Sequence, residues 1–239
     1  MKTVTIVVPA YNEERHLGAL LARVLAVDTE SIGFAKEVIV IDDGSRDRTG
    51  EIARGVPGVT CLVQTPNQGK GRAVRRGIEA ARGDYVLVQD ADLEYDPSDY
   101  PRLLAALQRY DVVYGSRALG PYRKTGARAI ARRHPGQGLG PWLASVVLTA
   151  WTWLLYGRFI SDTLTGYKLY PTVVLKGLRL VTRGFETDHE ITARLLRLGL
   201  SIGEVPIAYH PRSRAEGKKI RARDGVVALW TLLRFRFAP

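Results

Sequence analysis

The chain has 239 residues, 46% of them hydrophobic, which suits one sizeable core and favours a single α/β domain. Its one cysteine excludes a disulfide framework and a cysteine-rich zinc site, and so gives no reason to place the protein outside the cytoplasm. The 35 Lys and Arg against 24 Asp and Glu give a net charge of +11, which suits an anionic partner: nucleic acid, anionic lipid headgroups or phosphorylated substrates.

The first half of the chain alternates strand-like and helix-like segments. Residues 3–8 are a short β-branched run without the apolar region and cleavage site of a signal peptide, so we expect the chain to begin directly in structure. Apolar strands that alternate with helices indicate a mostly parallel sheet with helices on both faces. The predicted strands are 3–8, 38–41, 59–63 and 85–88, and the predicted helices are 13–25, 71–81 and one that begins at Thr49.

Polar residues follow three of these strands directly, at 11–13, 42–43 and 90–92. Ligands of open parallel sheets bind in the crevice beyond the carboxyl ends of the strands. We therefore expect the three polar segments to meet at one crevice.

The segment after the fourth strand is the most informative about chemistry, because it carries carboxylates at alternate positions, Asp90, Asp92 and Glu94. Carboxylate oxygens suit Mg²⁺ or Mn²⁺ bridging a diphosphate. The alternative is an ordinary solvated acidic loop, but an acidic cluster at a strand end is costly through self-repulsion unless a cation is present. The pattern predicts a metal site formed by these three residues.

Two further segments are typical of a phosphate-binding crevice. Asp42 to Ser45 lies between a strand and a helix, where the alternative is a simple turn and helix N-cap. The segment 67–71 precedes a helix and offers backbone N–H groups and the Lys70 cation to a phosphate. It lacks the Walker A pattern, which disfavours a P-loop nucleotidase.

The second half is less regular and more basic. The basic clusters at 123–133 and 212–223 each adjoin an apolar stretch, which favours a membrane surface over a nucleic-acid groove. Residues 142–156 are almost wholly apolar, yet a helix this short cannot cross a hydrocarbon core of roughly 30 Å. It is either a buried helix or an interfacial one.

Together these segments resemble family 2 glycosyltransferases of the GT-A fold, closest to the dolichyl-phosphate mannose synthase and polyprenyl-phosphate glycosyltransferase group. The resemblance implies a Rossmann-like α/β fold and an inverting, metal-dependent transfer from a nucleotide diphosphate sugar, with GDP-mannose favoured. It rests on six ordered motifs, at 8–14, 42–49, 69–71, 89–94, 115–117 and 165–168, and continues more weakly through 185–190 and 212–218.

The resemblance also implies roles for individual residues. Glu94 stands where the nearest members often have Gln, so one more negative charge would hold Mn²⁺ or Mg²⁺ more tightly. The implied set is Pro9, Tyr11, Glu13, Val40 and Asp42 for the nucleobase and ribose; Asp90 and Ala91 for the sugar nucleotide; Asp92 and Glu94 for the metal; and Arg117, Arg212 and Lys218 for phosphates.

The acceptor decides whether a base is needed. A polyprenyl or dolichyl phosphate is already ionised, whereas an alcohol needs a base, for which Asp188 is the first candidate and Glu190 the second. Both carboxylates are alternatively structural ion-pair residues.

The rival functions are a soluble transferase that uses a UDP-sugar and an alcohol acceptor, and a basic nucleic-acid-binding module. We expect no nucleic acid partner, because the tryptophans lie inside apolar segments instead of alternating with Lys and Arg.

The C-terminal stretch predicts attachment to a membrane surface. Residues 224–237 are apolar but interrupted by Arg234 and Arg236, which indicates an amphipathic helix in which Trp230 and Phe235 insert into the interface. We therefore expect a catalytic domain at 1–220 and a docking helix at 221–239. The protein would sit on the cytoplasmic face of a membrane without crossing it, or dock on a membrane protein partner.

Overall fold

A computed structural model describes residues 1–119, 139–211 and 222–237. Its strands are β1 (Lys2–Ala10), β2 (Phe34–Asp42), β3 (Val59–Val63), β4 (Tyr85–Val88), β5 (Val112–Ser116), β6 (Lys168–Pro171) and β7 (Ile202–Pro206). Its α-helices are α1 (Leu17–Ala26), α2 (Thr49–Gly55), α3 (Lys70–Ala80), α4 (Tyr100–Ala106), α5 (Leu139–Tyr156), α6 (Thr172–Gly177), α7 (Thr187–Arg197) and α8 (Ala222–Phe237).

The seven strands form one sheet in the order β3-β2-β1-β4-β6-β5-β7. Strands β1 to β4 pair in parallel, as do β5 and β7, and β6 runs antiparallel between β4 and β5. The predicted mostly parallel α/β sheet is therefore confirmed. The antiparallel β6 was not predicted; it begins at Lys168, the last residue of the motif at 165–168, and lies inside the sheet between β4 and β5.

The central strands are buried on both faces. Along β1, Val4, Ile6 and Val8 belong to one core cluster, whereas Val7 belongs to the cluster on the opposite face. Side chains alternate between the two faces of a strand, so a continuous apolar run is what two helix layers require. The apolar runs therefore predicted the layers correctly, while helix α1 begins four residues later than the expected residue 13.

Helices α5, α7 and α8 form a third cluster beside the sheet. Leu148, Ala193, Leu232 and Phe235 are buried together in it. The α5–α8 pair is fixed further by a hydrogen bond from Trp151 Nε1 to the carbonyl of Leu229 at 3.1 Å. The expected insertion of Phe235 into a membrane is wrong, because its side chain lies in this cluster with only 2% exposure.

The outward sides of α5 and α8 carry large exposed apolar side chains. On α5, Leu139, Leu143 and Val147 recur every four residues and share one helix face with Leu154. Within the described ranges, no helix is both long and apolar enough to cross a membrane. We call these exposed side chains the apolar platform: Leu139, Leu143, Val147, Trp153, Leu154, Val226, Val227, Trp230 and Phe237.

Candidate active site

The loops after β1 and β2 are joined to each other at the carboxyl edge of the sheet. The backbone N–H of Asn12 donates to Ser45 Oγ at 3.0 Å, and Arg46 N–H donates to Asn12 Oδ1 at 2.9 Å. Glu13 N–H donates to Thr49 Oγ1 at 2.8 Å. Asn12 adopts a φ of 54°, a left-handed conformation that non-glycine residues rarely take and that clusters at functional sites. These bonds fix the loops as one wall of a crevice.

The two aspartates that end β2 hold different loops. Asp42 Oδ1 accepts the backbone N–H of Ser45 at 2.9 Å, which closes the turn into α2. Asp43 accepts the N–H groups of Gln68 and Gly69, both at 2.8 Å. Asp43 therefore positions the loop before α3, a role that the sequence did not reveal.

The remaining residues implied for nucleotide binding lie along these strand ends. Val40 is fully buried in the core, so only its backbone could face a ligand, and Ala91 is 4% exposed. Glu13 is also buried, with Oε2 3.3 Å from His16 Nδ1. Pro9 and Tyr11 occupy the end of β1 and the residue after it. Arg212, Lys218 and the basic cluster at 123–133 lie outside the described residues.

Lys70, the first residue of α3, forms an ion pair with Asp90. Its Nζ lies 2.5 Å from Asp90 Oδ1 and 5.8 Å from the centroid of the Phe185 ring. Burial alone would lower the pKa of Lys70, but the Asp90 and Asp188 carboxylates outweigh it and raise the pKa above the usual lysine value. Lys70 therefore remains a cation between two carboxylates.

Gly71 allows the start of α3 to approach the start of α7. A Cβ at this position would lie 1.9 Å from Thr187 Oγ1 and 2.6 Å from the carbonyl oxygen of Gly184. Arg72 N–H also donates to the carbonyl of Arg183 at 3.1 Å. Only glycine permits this contact, which brings Lys70 near the first turn of α7.

Gly166 allows a similarly close approach, to the side chain of Asp90. A Cβ there would lie 2.4 Å from Asp90 Oδ2 and 3.4 Å from Tyr95 Cε2. Its N–H donates to Tyr95 Oη at 3.1 Å. Gly166 therefore packs directly against the Asp90 side chain, which a larger residue would displace.

The three-carboxylate metal site stays a prediction. Among the described residues, no three His, Cys, Asp or Glu side chains are grouped to hold a metal ion, and Asp90 is paired with Lys70. Asp92 Oδ1 accepts the N–H of Glu94 at 3.1 Å around Leu93, whose φ of 60° is left-handed. Asp92 and Glu94 carry carboxylate oxygens of the type that would suit Mg²⁺ or Mn²⁺.

Arg117, at the end of β5, is held by a carboxylate that the sequence did not single out. Its Nε and Nη2 each donate to an oxygen of Asp162 at 2.7 Å, a bidentate geometry. Its guanidinium carbon lies 4.9 Å from the centroid of the Tyr209 ring. Burial would lower the pKa of Arg117, but Asp162 raises it well above the usual value. The arginine is thus fixed and charged.

Glu204 of β7 holds the loop that carries Asp162. It accepts the N–H of Ser161 at 2.8 Å and the N–H of Asp162 at 3.1 Å. Burial raises the pKa of Glu204 to about 7. Arg117, Asp162 and Glu204 therefore form a connected network, which sequence separation concealed.

The two candidate bases occupy the first turn of α7 in different surroundings. Glu190 is fully buried and accepts from the N–H of Thr182 at 2.9 Å and from Arg194 Nε at 2.9 Å. These contacts favour the structural ion-pair alternative for Glu190. Asp188 is instead half-buried, and its charge helps to raise the pKa of Lys70, the partner of Asp90. Its role as a base stays a prediction.

Residues 5–157 match the profile of Glycosyl transferase family 2. The chain belongs to this family. It is therefore a glycosyltransferase, and the resemblance inferred from the six motifs is confirmed.

Individual relatives refine the comparison. The chain is 33% identical over 263 aligned positions to the undecaprenyl-phosphate mannosyltransferase of Micrococcus luteus, with 99% of each chain covered. It is 40% identical over 139 residues to the undecaprenyl-phosphate 4-deoxy-4-formamido-L-arabinose transferase of Aeromonas hydrophila, which covers 54% of this chain and 42% of that relative.

A solved structure confirms the fold. The glucosyl-3-phosphoglycerate synthase of Mycobacterium tuberculosis, in complex with Mn²⁺, UDP and phosphoglyceric acid, superposes with a TM-score of 0.72 at 23% identity. The match covers 100% of this chain and 80% of that one. At this identity the likeness concerns the fold alone.

Proposed function

We propose that this family 2 glycosyltransferase transfers a hexose, mannose from GDP-mannose, to a polyprenyl or dolichyl phosphate at a membrane surface. The observation that carries the proposal is the full-length similarity to the undecaprenyl-phosphate mannosyltransferase of Micrococcus luteus. The crevice and the apolar platform are consistent with the two substrates, one water-soluble and one lipid.

On the donor side, the crevice offers the joined loops after β1 and β2 to the nucleoside and the charged groups at Lys70 and Arg117 to the diphosphate. A divalent cation, Mn²⁺ or Mg²⁺, bound by Asp92 and Glu94 would supply charge stabilisation for the leaving nucleotide diphosphate. The Mn²⁺ in the solved synthase from Mycobacterium tuberculosis supports this choice. The chain's own part is to hold Arg117 in place through Asp162.

On the acceptor side, the apolar platform suits the surface of an anionic membrane. Trp153 and Trp230 are 61% and 62% exposed, and amphipathic aromatic rings favour the headgroup level of a bilayer. Arg223 and Arg234 are exposed on α8 beside them, and each basic residue near an anionic surface adds about 1 kcal/mol. The proposed site of action is the cytoplasmic face of a membrane; the rival occupant is a membrane protein partner.

Transfer assays test the substrates directly. Purified protein with Mn²⁺ is given radiolabelled GDP-mannose or UDP-glucose, with undecaprenyl phosphate, dolichyl phosphate or water-soluble alcohols as acceptors. We expect label from GDP-mannose to enter the organic phase with a polyprenyl phosphate. Label that passes only to water-soluble alcohols would contradict the lipid acceptor, and label only from UDP-glucose would contradict the donor.

Flotation with liposomes tests the surface. The wild type should float with anionic vesicles, less so as salt rises, because electrostatic attraction is screened over about 8 Å at physiological ionic strength. Trp230→Glu should reduce flotation strongly. The matched control is Val173→Glu on α6, a site that is 79% exposed but outside the platform. Equal flotation of both variants, or none by the wild type at low salt, would contradict membrane docking.

The second candidate, transfer to an alcohol, is favoured by one observation: Asp188 lies in the charged region around Lys70. The variant Asp188→Asn distinguishes an alcohol acceptor from a phosphate acceptor. With a phosphate acceptor we expect far less than the roughly 10² to 10⁴ loss that general-base catalysis is worth. A collapse of turnover with unchanged donor binding would instead support an alcohol acceptor, with Asp188 as its base.

A further inference from the structure

Arg117 is bound to Asp162 by both its main chain and its side chain. Asp162 Oδ2 accepts the backbone N–H of Arg117 at 3.0 Å and its Nε at 2.7 Å, and Asp162 Oδ1 accepts Nη2 at 2.7 Å. The Asp162 side chain is buried. The guanidinium can therefore be placed no more exactly than Asp162 itself.

Glu204 binds the segment of Ser161 and Asp162 with three hydrogen bonds. Its Oε2 accepts the N–H of Ser161 at 2.8 Å, and its Oε1 accepts the Ser161 hydroxyl at 2.8 Å and the N–H of Asp162 at 3.1 Å. Ser161 Oγ also lies 2.7 Å from Oγ of Ser116, the residue directly before Arg117. Glu204 thus reaches Arg117 by two hydrogen-bonded routes.

Pairing of strands does not fix this segment, because Ser161 and Asp162 lie between α5 and β6 and outside the sheet. Both residues are buried, and a buried backbone N–H without an acceptor is costly. The Ser161 carbonyl accepts the Thr149 hydroxyl of α5 at 3.3 Å, whereas the two N–H groups have Glu204 as their acceptor. Glu204 therefore supplies the acceptors that a neighbouring strand supplies within a sheet.

We propose that Glu204 is a positioning residue for sugar transfer, which holds Ser161 and Asp162 so that Arg117 is fixed toward the phosphates of the donor. A cation stabilises developing charge best when it is already in place. The inference rests on the proposed function in one respect, that Arg117 faces the diphosphate. Glu204 acts on Arg117 through the two residues between them, so it is not itself a catalytic residue.

The test compares two glutamates that each bind a segment outside their own strand. Glu204→Ala removes all three of its hydrogen bonds. Glu37→Ala is the matched control, because Glu37 of β2 accepts the Thr5 hydroxyl and the N–H of Arg82 at 2.9 Å, at the amino-terminal end of β4 and away from the crevice. We expect Glu204→Ala to lower kcat between about tenfold and 10²-fold, since a misplacement of about 1 Å can cost about 10²-fold. Glu37→Ala should leave kcat unchanged.

NMR of the arginine side chains reports the position of Arg117 without any turnover. In protein labelled with ¹⁵N-arginine, the Nε–H of Arg117 should exchange slowly with solvent, because it donates to a buried carboxylate. The signal is assigned by its loss in Arg117→Lys. In Glu204→Ala it should exchange at least about tenfold faster, since the segment opens more readily. In Glu37→Ala it should stay as in the wild type.

A double-mutant cycle separates positioning from a merely structural role. In an Arg117→Ala background, Glu204→Ala should lower kcat less than about threefold, because residues that act through one interaction are not additive. Its three hydrogen bonds do not involve the Arg117 side chain, so the fall in the urea midpoint should be similar in both backgrounds. A structural role alone would lower kcat equally in both.

Two outcomes would overturn the inference: an unchanged kcat in a folded Glu204→Ala, or an equal loss of kcat with and without Arg117. If Glu204→Ala does not fold, Glu204→Gln, which keeps one acceptor oxygen, takes its place and the same two outcomes decide. The kcat is measured with the acceptor that the wild type uses and on hydrolysis of the donor, which needs no acceptor. A wild type inactive toward polyprenyl phosphates therefore refutes the proposed function and leaves the hydrolysis and NMR comparisons of Glu204→Ala readable.

Discussion

Two groups of strands in the sheet, β1 and β2 on one side of β4 and β5 to β7 on the other, hold the active site in different ways. On the side of β1 and β2, hydrogen bonds between backbone N–H groups and nearby side chains join the loops, as where Asn12 meets Ser45 and Arg46. On the side of β5, β6 and β7, buried charges do so, as in the pair of Arg117 with Asp162. The first side forms a rigid wall, and the second forms a charged floor whose parts depend on one another.

This difference separates what each side contributes to the reaction. Hydrogen bonds from backbone groups fix geometry with little dependence on pH, which suits recognition of a nucleoside. A row of buried charges responds to every charge brought near it, including a diphosphate and its cation. We infer that substitutions on the first side act mainly on binding and stability, and those on the second mainly on turnover.

The largest effect on turnover is expected from Asp92→Ala, in the loop after β4. As the proposed metal ligand, Asp92 would supply charge stabilisation worth several kcal/mol, so its loss should lower turnover by at least about 10² to 10³, since about 1.4 kcal/mol is tenfold in rate. The fold should persist, because Asp92 lies in a loop at a strand end. Steady-state assays with a titration of Mn²⁺ measure the loss.

Asp96→Ala is the control for Asp92→Ala. Asp96 carries the same charge four residues further on and caps a short 3₁₀ turn by accepting the N–H of Ser98 at 2.9 Å. Its removal should cost about 1 kcal/mol of stability, as N-cap losses do, with metal-dependent turnover retained. Full activity of Asp92→Ala, or of the wild type in excess chelator, would refute the metal assignment.

A smaller effect is expected where the two sides meet, from Gly71→Ala. The added methyl group would overlap Thr187 Oγ1 and the carbonyl of Gly184, so α3 must shift away from α7. Overpacking typically costs about 1 to 3 kcal/mol of stability, and a displacement of Lys70 by about 1 Å can lower turnover up to about 10²-fold. Urea unfolding and steady-state kinetics measure the two effects.

Gly225→Ala provides the matched change in α8, where a Cβ meets nothing within 4 Å. An Ala in a helix is favoured over Gly by roughly 0.5 to 1 kcal/mol, so this variant should gain slight stability and keep its turnover. If Gly71→Ala behaves in the same way, the close approach of α3 to α7 is not needed.

The sequence predicted the strands and helices better than it predicted the contacts between distant residues. Apolar runs and the polar residues after them are local signals, so strand β4 is predicted to the residue and α3 to within one residue at each end. The pairing of Lys70 with Asp90 was not predicted, and the place of Asp90 in the metal set stays a prediction.

The pairings of the charged floor were missed, although Arg117 itself was named, and the reason is physical. Arg117 and Asp162 lie 45 residues apart in the chain, and neither periodicity nor spacing reports a pairing of that kind. Lys168 was identified from the sequence only as part of the motif at 165–168, and its burial in β6 is visible only in the structure. The roles assigned to Pro9, Tyr11, Arg212 and Lys218 stay predictions.

The smallest effect is expected at the outer end of the charged floor, from Glu204→Gln. The folded-state pKa of Glu204 is raised by burial to about 7 from a usual value of 4.5. Between these two pH values the folded protein holds a proton that the unfolded chain has lost, so Glu204 contributes stability that is fully present below pH 4.5 and is lost as pH rises through 7. The shift sets an upper limit of about 3 kcal/mol on this contribution.

The difference in unfolding free energy between wild type and Glu204→Gln isolates that contribution. His189, whose pKa is lowered by burial to about 3, has the opposite dependence in the wild type but is common to both proteins, so it cancels. Urea unfolding at pH 5, 6, 7 and 8 should show the wild type losing stability relative to the variant as pH rises. Glu51→Gln, at an exposed glutamate, should show no such trend. A parallel pair of curves for wild type and Glu204→Gln would mean that Glu204 is ionised in the folded protein as in the unfolded chain, and that it holds Ser161 and Asp162 as a carboxylate.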